Sequence, residues 1–341
     1  GSRSTAVGRN TLNAQNFTTA TTSHNVAVGY NAGNAVTTGI ENTLVGALAG
    51  DALTDADFNV AVGYNALGSD TLGSKSVAIG QATLKDQNFT TATDAFNTAL
   101  GYQTGKSVTT GYKNTLVGGL AGDAKTTGNN DVAIGYGALS TDVAGQNSVA
   151  VGYNALFAQN FTTATNTYNV AVGRSAGEAI STGIQNTLVG ASAGDALTDA
   201  DQNVAVGYLA LSADTLGSKS TALGQGTLKV QNFTTATDPY NTAVGYQAGT
   251  AVTTGTQNTI LGGLAGDALT DADFNVAVGT SALSADTLGS RAVAIGRKAL
   301  FTQNFTTATD NYNTAVGFSA GEAVTTGIQN TLIGGLAGDA L

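Results

Sequence analysis

Glycine recurs through this chain on a fixed beat. Gly8, Gly29, Gly46, Gly63, Gly80 and Gly101 open a series of nineteen that runs to Gly334, at intervals of 21, 17, 17 and 17 and then 21 again. Four intervals make one super-repeat, so Gly8, Gly80, Gly152, Gly224 and Gly296 are equivalent positions. Each glycine closes the same phrase, as in Asn25-Val26-Ala27-Val28-Gly29 and Asn42-Thr43-Leu44-Val45-Gly46. A unit this short cannot enclose a core, so it must bury its apolar side chains against the units before and after it. No linker or change of composition interrupts the beat. The chain therefore reads as a single continuous repeat region over 1–341, about nineteen coils long.

Taking each glycine as position zero, position −3 is always Val or Thr and position −1 is always Val, Ile or Leu. Residues of these types at alternate positions specify an extended strand. Position −2 is Ala in most coils, and Leu or Ile before Gly46, Gly118, Gly190, Gly262 and Gly334. Both strand faces are apolar. The −3 and −1 columns are assigned to the coil interior. The −2 column (Ala27, Leu44, Ala61, Leu116, Leu188, Ala205, Ile260 and Leu332) is assigned to a face that packs against another chain. After the glycine comes x-x-Ala-Leu or x-x-Ala-Gly, and Gly, Asn and Asp mark the corners. Helical periodicity is absent. The expected fold is all-β, a parallel β-solenoid of 17-residue coils with a 21-residue coil every fourth, in a 72-residue super-repeat. At ~4.8 Å per strand, nineteen coils would span about 90 Å.

Position −4 is Asn in most coils, including Asn25, Asn42, Asn59 and Asn97, which predicts a stacked amide ladder. Ser4, Ser76, Ser148, Ser220 and Ala292 break it in every fourth coil. The coil after each break is the longer one, and its insertion falls in the phrase Gln-Asn-Phe-Thr-Thr-Ala-Thr. These are the candidate display loops: Asn16 and Phe17, Asn88 and Phe89, Asn160 and Phe161, Asn232 and Phe233, Asn304 and Phe305. Each Asn-Phe-Thr is also an acceptor sequon for N-glycosylation, although an unmodified threonine-rich turn is the simpler reading.

Charge and composition exclude several functions. The chain has 13 basic and 23 acidic residues, a net charge of −10, and no basic stripe that would suit a nucleic acid. Hydrophobic residues make up 42% of it, too many for simple disorder, yet no run of about 18 apolar residues is available to cross a membrane. His24 is the only histidine, and Phe96, Tyr168, Tyr240 and Tyr312 occupy its place in the other super-repeats, which fits a bulky corner residue better than a catalyst. Gly101-Tyr102-Gln103-Thr104-Gly105-Lys106-Ser107 is one residue short, between its glycines, of the spacing a phosphate loop needs. Asp195, Asp199 and Asp201, with copies at Asp51, Asp55, Asp57 and at Asp267, Asp271, Asp273, are candidate oxygen ligands for Ca²⁺, set against the simpler reading of a solvated turn. Tyrosines at position +1, such as Tyr30 and Tyr64, offer ring faces to sugars or to one another. No catalytic constellation and no cofactor motif is present in the sequence, so no enzyme activity is expected.

The phrase Ser76-Val77-Ala78-Ile79-Gly80, with its copy Ser148-Val149-Ala150-Val151-Gly152, resembles the head repeats of trimeric autotransporter adhesins. It is also similar to repeats in some phage tail-fibre proteins. The resemblance covers essentially the whole chain through a short motif. It implies a left-handed parallel β-roll, a homotrimer, and an extracellular setting on a cell surface or virion fibre. It also implies an adhesive or structural role, with host-surface or matrix glycans or proteins as partners. The alternatives are a monomeric solenoid subunit that polymerises end to end into an extracellular filament and, more distantly, a carbohydrate- or ice-binding repeat. Gly1-Ser2-Arg3-Ser4 matches Gly73-Ser74-Lys75-Ser76, and the chain stops inside a repeat phrase, so it reads as an uncapped window from a longer protein.

Overall fold

The computed structural model describes residues 1–340 and is all-β, without a helix among them. The chain forms two compact units, Gly1–Asn169 and a second that opens at Val170. Both are β-solenoids built from the same coil. Each coil contributes one short strand, at positions −3 to −1, and the strands stack in parallel. Thr43, Leu44 and Val45 lie beside Val60, Ala61 and Val62 of the next coil. Val77, Ala78 and Ile79 lie in the same way beside Thr98, Ala99 and Leu100, although a longer coil separates them. The insertion is thus taken up outside the strand, whose register continues undisturbed. A second, still shorter strand pairs at the loop-bearing coils, as Gly73–Ser74 with Thr93–Asp94 and Gly289–Ser290 with Thr309–Asp310.

Backbone groups find partners in neighbouring coils. The Thr43 amide donates to Asn59 O at 2.8 Å in the following coil, and the Gly46 amide to Val28 O at 2.8 Å in the preceding one. This answers where the polar backbone of so thin a fold goes, since an unpaired buried amide would cost as much as a lost hydrogen bond. It also explains the beat. Gly46 has φ +132°, and a Cβ there would lie 2.6 Å from Gly63 O of the next coil. Only glycine combines that dihedral with so close a stack.

Three columns of variable side chains fill the interior, beside a buried small-residue column at +3 (Ala32, Ala49, Ala66, Thr83) and the asparagines at −4. Position −2 points inward, with Ala27, Leu44, Ala61, Leu116, Leu188, Ala205 and Ile260 all fully buried. Position +4 alternates between Leu (Leu67, Leu84, Leu139) and Gly (Gly33, Gly50), and its backbone is left-handed in either case. The two columns exchange volume. Where −2 is Ala, +4 in the same coil is usually Leu. Where −2 is Leu44, both Gly33 and Gly50 make room, because a Cβ at either would lie within 2.8 Å of a Leu44 methyl. The third column, at +7, reads Val36, Leu53, Asp70 and Gln87 through one super-repeat, apolar in two coils and polar in two. A buried leucine such as Leu53 contributes on the order of 1.5–3 kcal/mol.

The amide ladder forms inside the coil. The Asn42 backbone amide donates to Asn25 Oδ1 at 2.9 Å, and Asn42 Nδ2 donates to Ala56 O at 2.7 Å. The Asn59 amide continues it to Asn42 Oδ1 at 3.0 Å. At the break, the Ser76 amide donates to Asn59 Oδ1 at 2.9 Å, and the side chain of Gln87 bridges the gap. Gln87 Nε2 donates to Ser76 Oγ at 3.1 Å and to Asp70 Oδ2 at 2.6 Å, while Gln87 Oε1 accepts from Asn97 Nδ2 at 2.8 Å. The ladder then resumes at Asn114, whose amide donates to Asn97 Oδ1 at 2.9 Å.

Candidate association face

The inward turn of position −2 corrects the assignment of the two strand faces. Ala27, Leu44, Ala61, Leu116, Leu188, Ala205 and Ile260 have no exposed surface within a single chain, so no partner can reach them. Leu332, in the last coil, is half-buried. The reason is size. The interior is narrow enough that Ala or a Leu compensated by Gly fills it, and the β-branched residues at −3 and −1 are turned out. Val26 is 37% exposed and Val28 36%, and Leu100 and Ile134 are more open still. Not one charged residue stands at −3 or −1 in any coil. Within each unit the −1 column is aliphatic in every coil and the −3 column is Val or Thr. A continuous uncharged strip of this kind along a sheet surface is the feature that distinguishes an interaction site from scattered exposed side chains.

Two further columns widen the strip. From Gly29 to Gly135 position +1 carries Tyr30, Tyr64, Tyr102 and Tyr136 in every second coil, each about half exposed, with Ala47, Gln81 and Gly119 between them and Arg9 in the first coil. Tyr136 and Tyr153 occupy adjacent coils and stack, centroids 5.8 Å apart at 12°. Position −5 is a left-handed corner in every coil, His24 (φ 49°) among them. In several coils it carries aromatic and cationic side chains that lie against one another, and in others an amide or, at Glu41, an acid. Lys75 Nζ sits 5.3 Å from the Phe96 ring centroid, and the Arg291 guanidinium lies over Phe274 at 4.7 Å and Tyr312 at 5.9 Å. Exposed ion pairs, Lys75 with Asp94 and Arg291 with Asp310, flank this edge. In the first unit, nine coils at ~4.8 Å and the six spacings from −5 to +1 at ~3.4 Å give a face of roughly 900 Å², comparable to one side of a standard protein–protein interface.

The candidate display loops divide within themselves. Phe89, Phe161, Phe233 and Phe305 are buried, and Phe17 is half-buried, so the rings anchor the loops and are not displayed. Asp70 Oδ1 accepts the Phe89 amide at 3.0 Å and the Gly73 amide at 3.1 Å. Gly73 has to be glycine, because a Cβ would come within 2.8 Å of the Phe89 ring. Asn16, Asn160, Asn232 and Asn304 are exposed and Asn88 is half-buried, with Asn88 Oδ1 accepting from Thr71 Oγ1 at 3.0 Å. Each loop presents its threonine pair to solvent, such as Thr90 and Thr91, joined in four of the five loops by the exposed asparagine.

Asp195, Asp199 and Asp201 are not brought together. Asp199 Oδ1 accepts from Thr182 Oγ1 at 2.7 Å, and Asp201 Oδ1 accepts the Ile184 amide at 2.8 Å, both in the preceding coil. Burial raises the Asp195 carboxyl above its ordinary range. No group of three or more metal-ligating side chains occurs among the described residues. No described helix is long and apolar enough to cross a membrane.

One buried cluster escaped the sequence reading. Lys125 Nζ lies 2.7 Å from Asp131 Oδ2 and 3.0 Å from Asp142 Oδ2, with all three side chains fully buried. The signal was present as a difference between super-repeats. Where the others hold Leu53 and Asn59 or Leu197 and Asn203, this one holds Lys125 and Asp131, a paired exchange that adds a cation and an anion together.

Comparison with protein-family models and with curated proteins finds no match to this chain.

Proposed function

We propose that this chain is a segment of an extracellular structural or adhesive fibre, a stalk or head of a surface adhesin or tail fibre, which works by associating with copies of itself. The observation that supports this reading is the outward strip at −3 and −1, free of charge in every coil and flanked by recurrent aromatic side chains at +1 and −5. A homotrimer would place three such strips about a common axis. The role is non-catalytic. Stacked coils supply length and stiffness, and the Phe-anchored loops hold their exposed threonine pairs at one loop per four coils, about every 19 Å at ~4.8 Å per coil. Host-surface or matrix glycans or proteins are the partners such an array would meet.

The test is absolute mass in solution by light scattering across a dilution series. A concentration-independent mass of 3 × 33.7 = 101 kDa is expected. A stable monomer would overturn self-association. A mass that grows with concentration would favour subunits joined end to end in place of the trimer.

A further inference from the structure

The Lys125 cluster sets two carboxylates against one ammonium in a site without solvent. Lys125 donates to Asp142 Oδ2 at 3.0 Å and to Gly145 O at 2.8 Å, and its ammonium faces Asp131 Oδ2 at 2.7 Å as an ion pair, leaving that oxygen without a hydrogen-bond donor of its own. Asp142 is the better supported anion. Its Oδ1 accepts the Gly145 amide at 3.2 Å and the Phe161 amide at 3.1 Å, and its Oδ2 also accepts from Gln159 Nε2 at 3.2 Å. Asp131 has, besides Lys125, only the Ser148 amide, which donates to Oδ1 at 2.8 Å. The other groups packed on the cluster from neighbouring coils are Asn114, Gly128, Gly145, Ser148 and Gln159, none of which titrates. The buried site therefore carries one negative charge in excess, and a buried unbalanced charge is costly.

We propose that this cluster is a proton-uptake switch built into the solenoid core: in mild acid Asp131 takes up one proton, the buried charge becomes balanced, and the coils that the cluster joins lock together more tightly than at neutral pH.

Burial raises the Asp131 carboxyl to about 6 against the opposing pull of Lys125. Its unfolded value is 3.8, so the folded coil binds the proton more tightly than the open coil does. For a carboxyl raised in this way, stability is lowest above pH 6 and increases as the pH falls from 6 towards 4. This is the reverse of ordinary acid denaturation, in which paired carboxylates lose their charge.

The same chain supplies its own control, because residues 267–292 place Leu269, Asn275 and Asp286 at the corresponding positions. Amide hydrogen exchange, corrected for intrinsic rates, should be followed in 123–148 and 267–292 between pH 7.5 and 5. The protection of 123–148 relative to 267–292 is expected to rise about tenfold towards pH 5. A flat or falling ratio would overturn the switch. Asp131→Asn keeps the balanced Lys125–Asp142 pair and should give a flat ratio, already high at pH 7.5. Lys125→Leu with Asp131→Asn restores the residues of the other super-repeats, and so guards against a variant that fails to fold. A rise that survives in that double variant would also sink the proposal.

Discussion

In the strand Val204–Val206, Ala205 is fully buried in its own coil while Val204 and Val206 are half-buried on the outer surface. The inner column is governed by volume, and the outer by uniformity. Inside, each side chain is matched to a neighbour: Leu188 requires Gly194, where a Cβ would lie 2.8 Å from its methyl, and Ala205 is accompanied by the full-sized Leu211. Outside, Val, Thr, Ile and Leu interchange without any partner changing, but charge never enters. Packing constrains the first column coil by coil. The second is constrained only in kind, as a surface that keeps one chemical character along its length.

The largest effect should come from breaking the inner column. Ala205→Asp puts a carboxylate among alkyl groups, with no cation within the coil to pair with it and no room for its extra atoms. A cost of about 3–5 kcal/mol is expected, large enough to open the neighbouring coils. Protease resistance and thermal unfolding would show it directly. A variant that keeps wild-type protease resistance would mean that the coil interior holds water and that the volume matching is accidental.

A step down in size is the amide ladder, which lies between the two columns. Asn203 Oδ1 accepts the Ser220 amide at 2.9 Å, and its Nδ2 donates to Gly217 O at 2.9 Å. Asn203→Ala leaves both backbone groups buried without partners, at about 2–4 kcal/mol. Ser220→Ala should cost under about 1 kcal/mol, because Ala292 already occupies the matching position and its amide still donates to Asn275 Oδ1 at 2.9 Å. Urea denaturation of the two variants separates them. Equal losses would show that the hydroxyl carries as much of the ladder as the asparagine.

The solenoid, its coil length, the strand position and the asparagine ladder are all legible in the sequence, because each repeats a residue type at a fixed interval. The orientation of the strand is not legible from alternation alone. A period of two separates two faces and leaves open which of them is inside. The deciding signal lies in pairs of positions, Leu44 with Gly33 and Gly50 against Ala61 with Leu67, and it appears only when −2 and +4 are read together. Gln87 is hidden for a different reason. It replaces a missing asparagine from another point on the coil, well past Ser76 along the chain, and only the folded path brings the two within reach. Phe89 looks like a displayed ring because it sits in the inserted segment. The structure turns it inward over Gly73, where Asp70 fixes its backbone.

The smallest effect on the fold and the sharpest on function should come from the outer column. Val206→Asp adds a charge to a half-exposed position whose neighbours across the strands are Val189 and Leu223, so the carboxylate can turn into water. The expected loss of monomer stability is under about 1 kcal/mol, within the usual range for surface changes. In an assembly held by this strip the same carboxylate would be buried against apolar groups of another copy, where an unpaired charge costs several kcal/mol. The variant should therefore keep its strand content and its unfolding midpoint while its mass in solution falls to that of one chain. A mass unchanged by Val206→Asp, in a protein that does associate, would move the interface off this face and leave the strip exposed to solvent in the assembly. Tyr208, in the same coil, separates the strip's centre from its margin. Tyr208→Ala should weaken association without abolishing it, because the aromatic column at +1 is interrupted by Ala191 and Gln225 on either side while the aliphatic column at −1 is continuous.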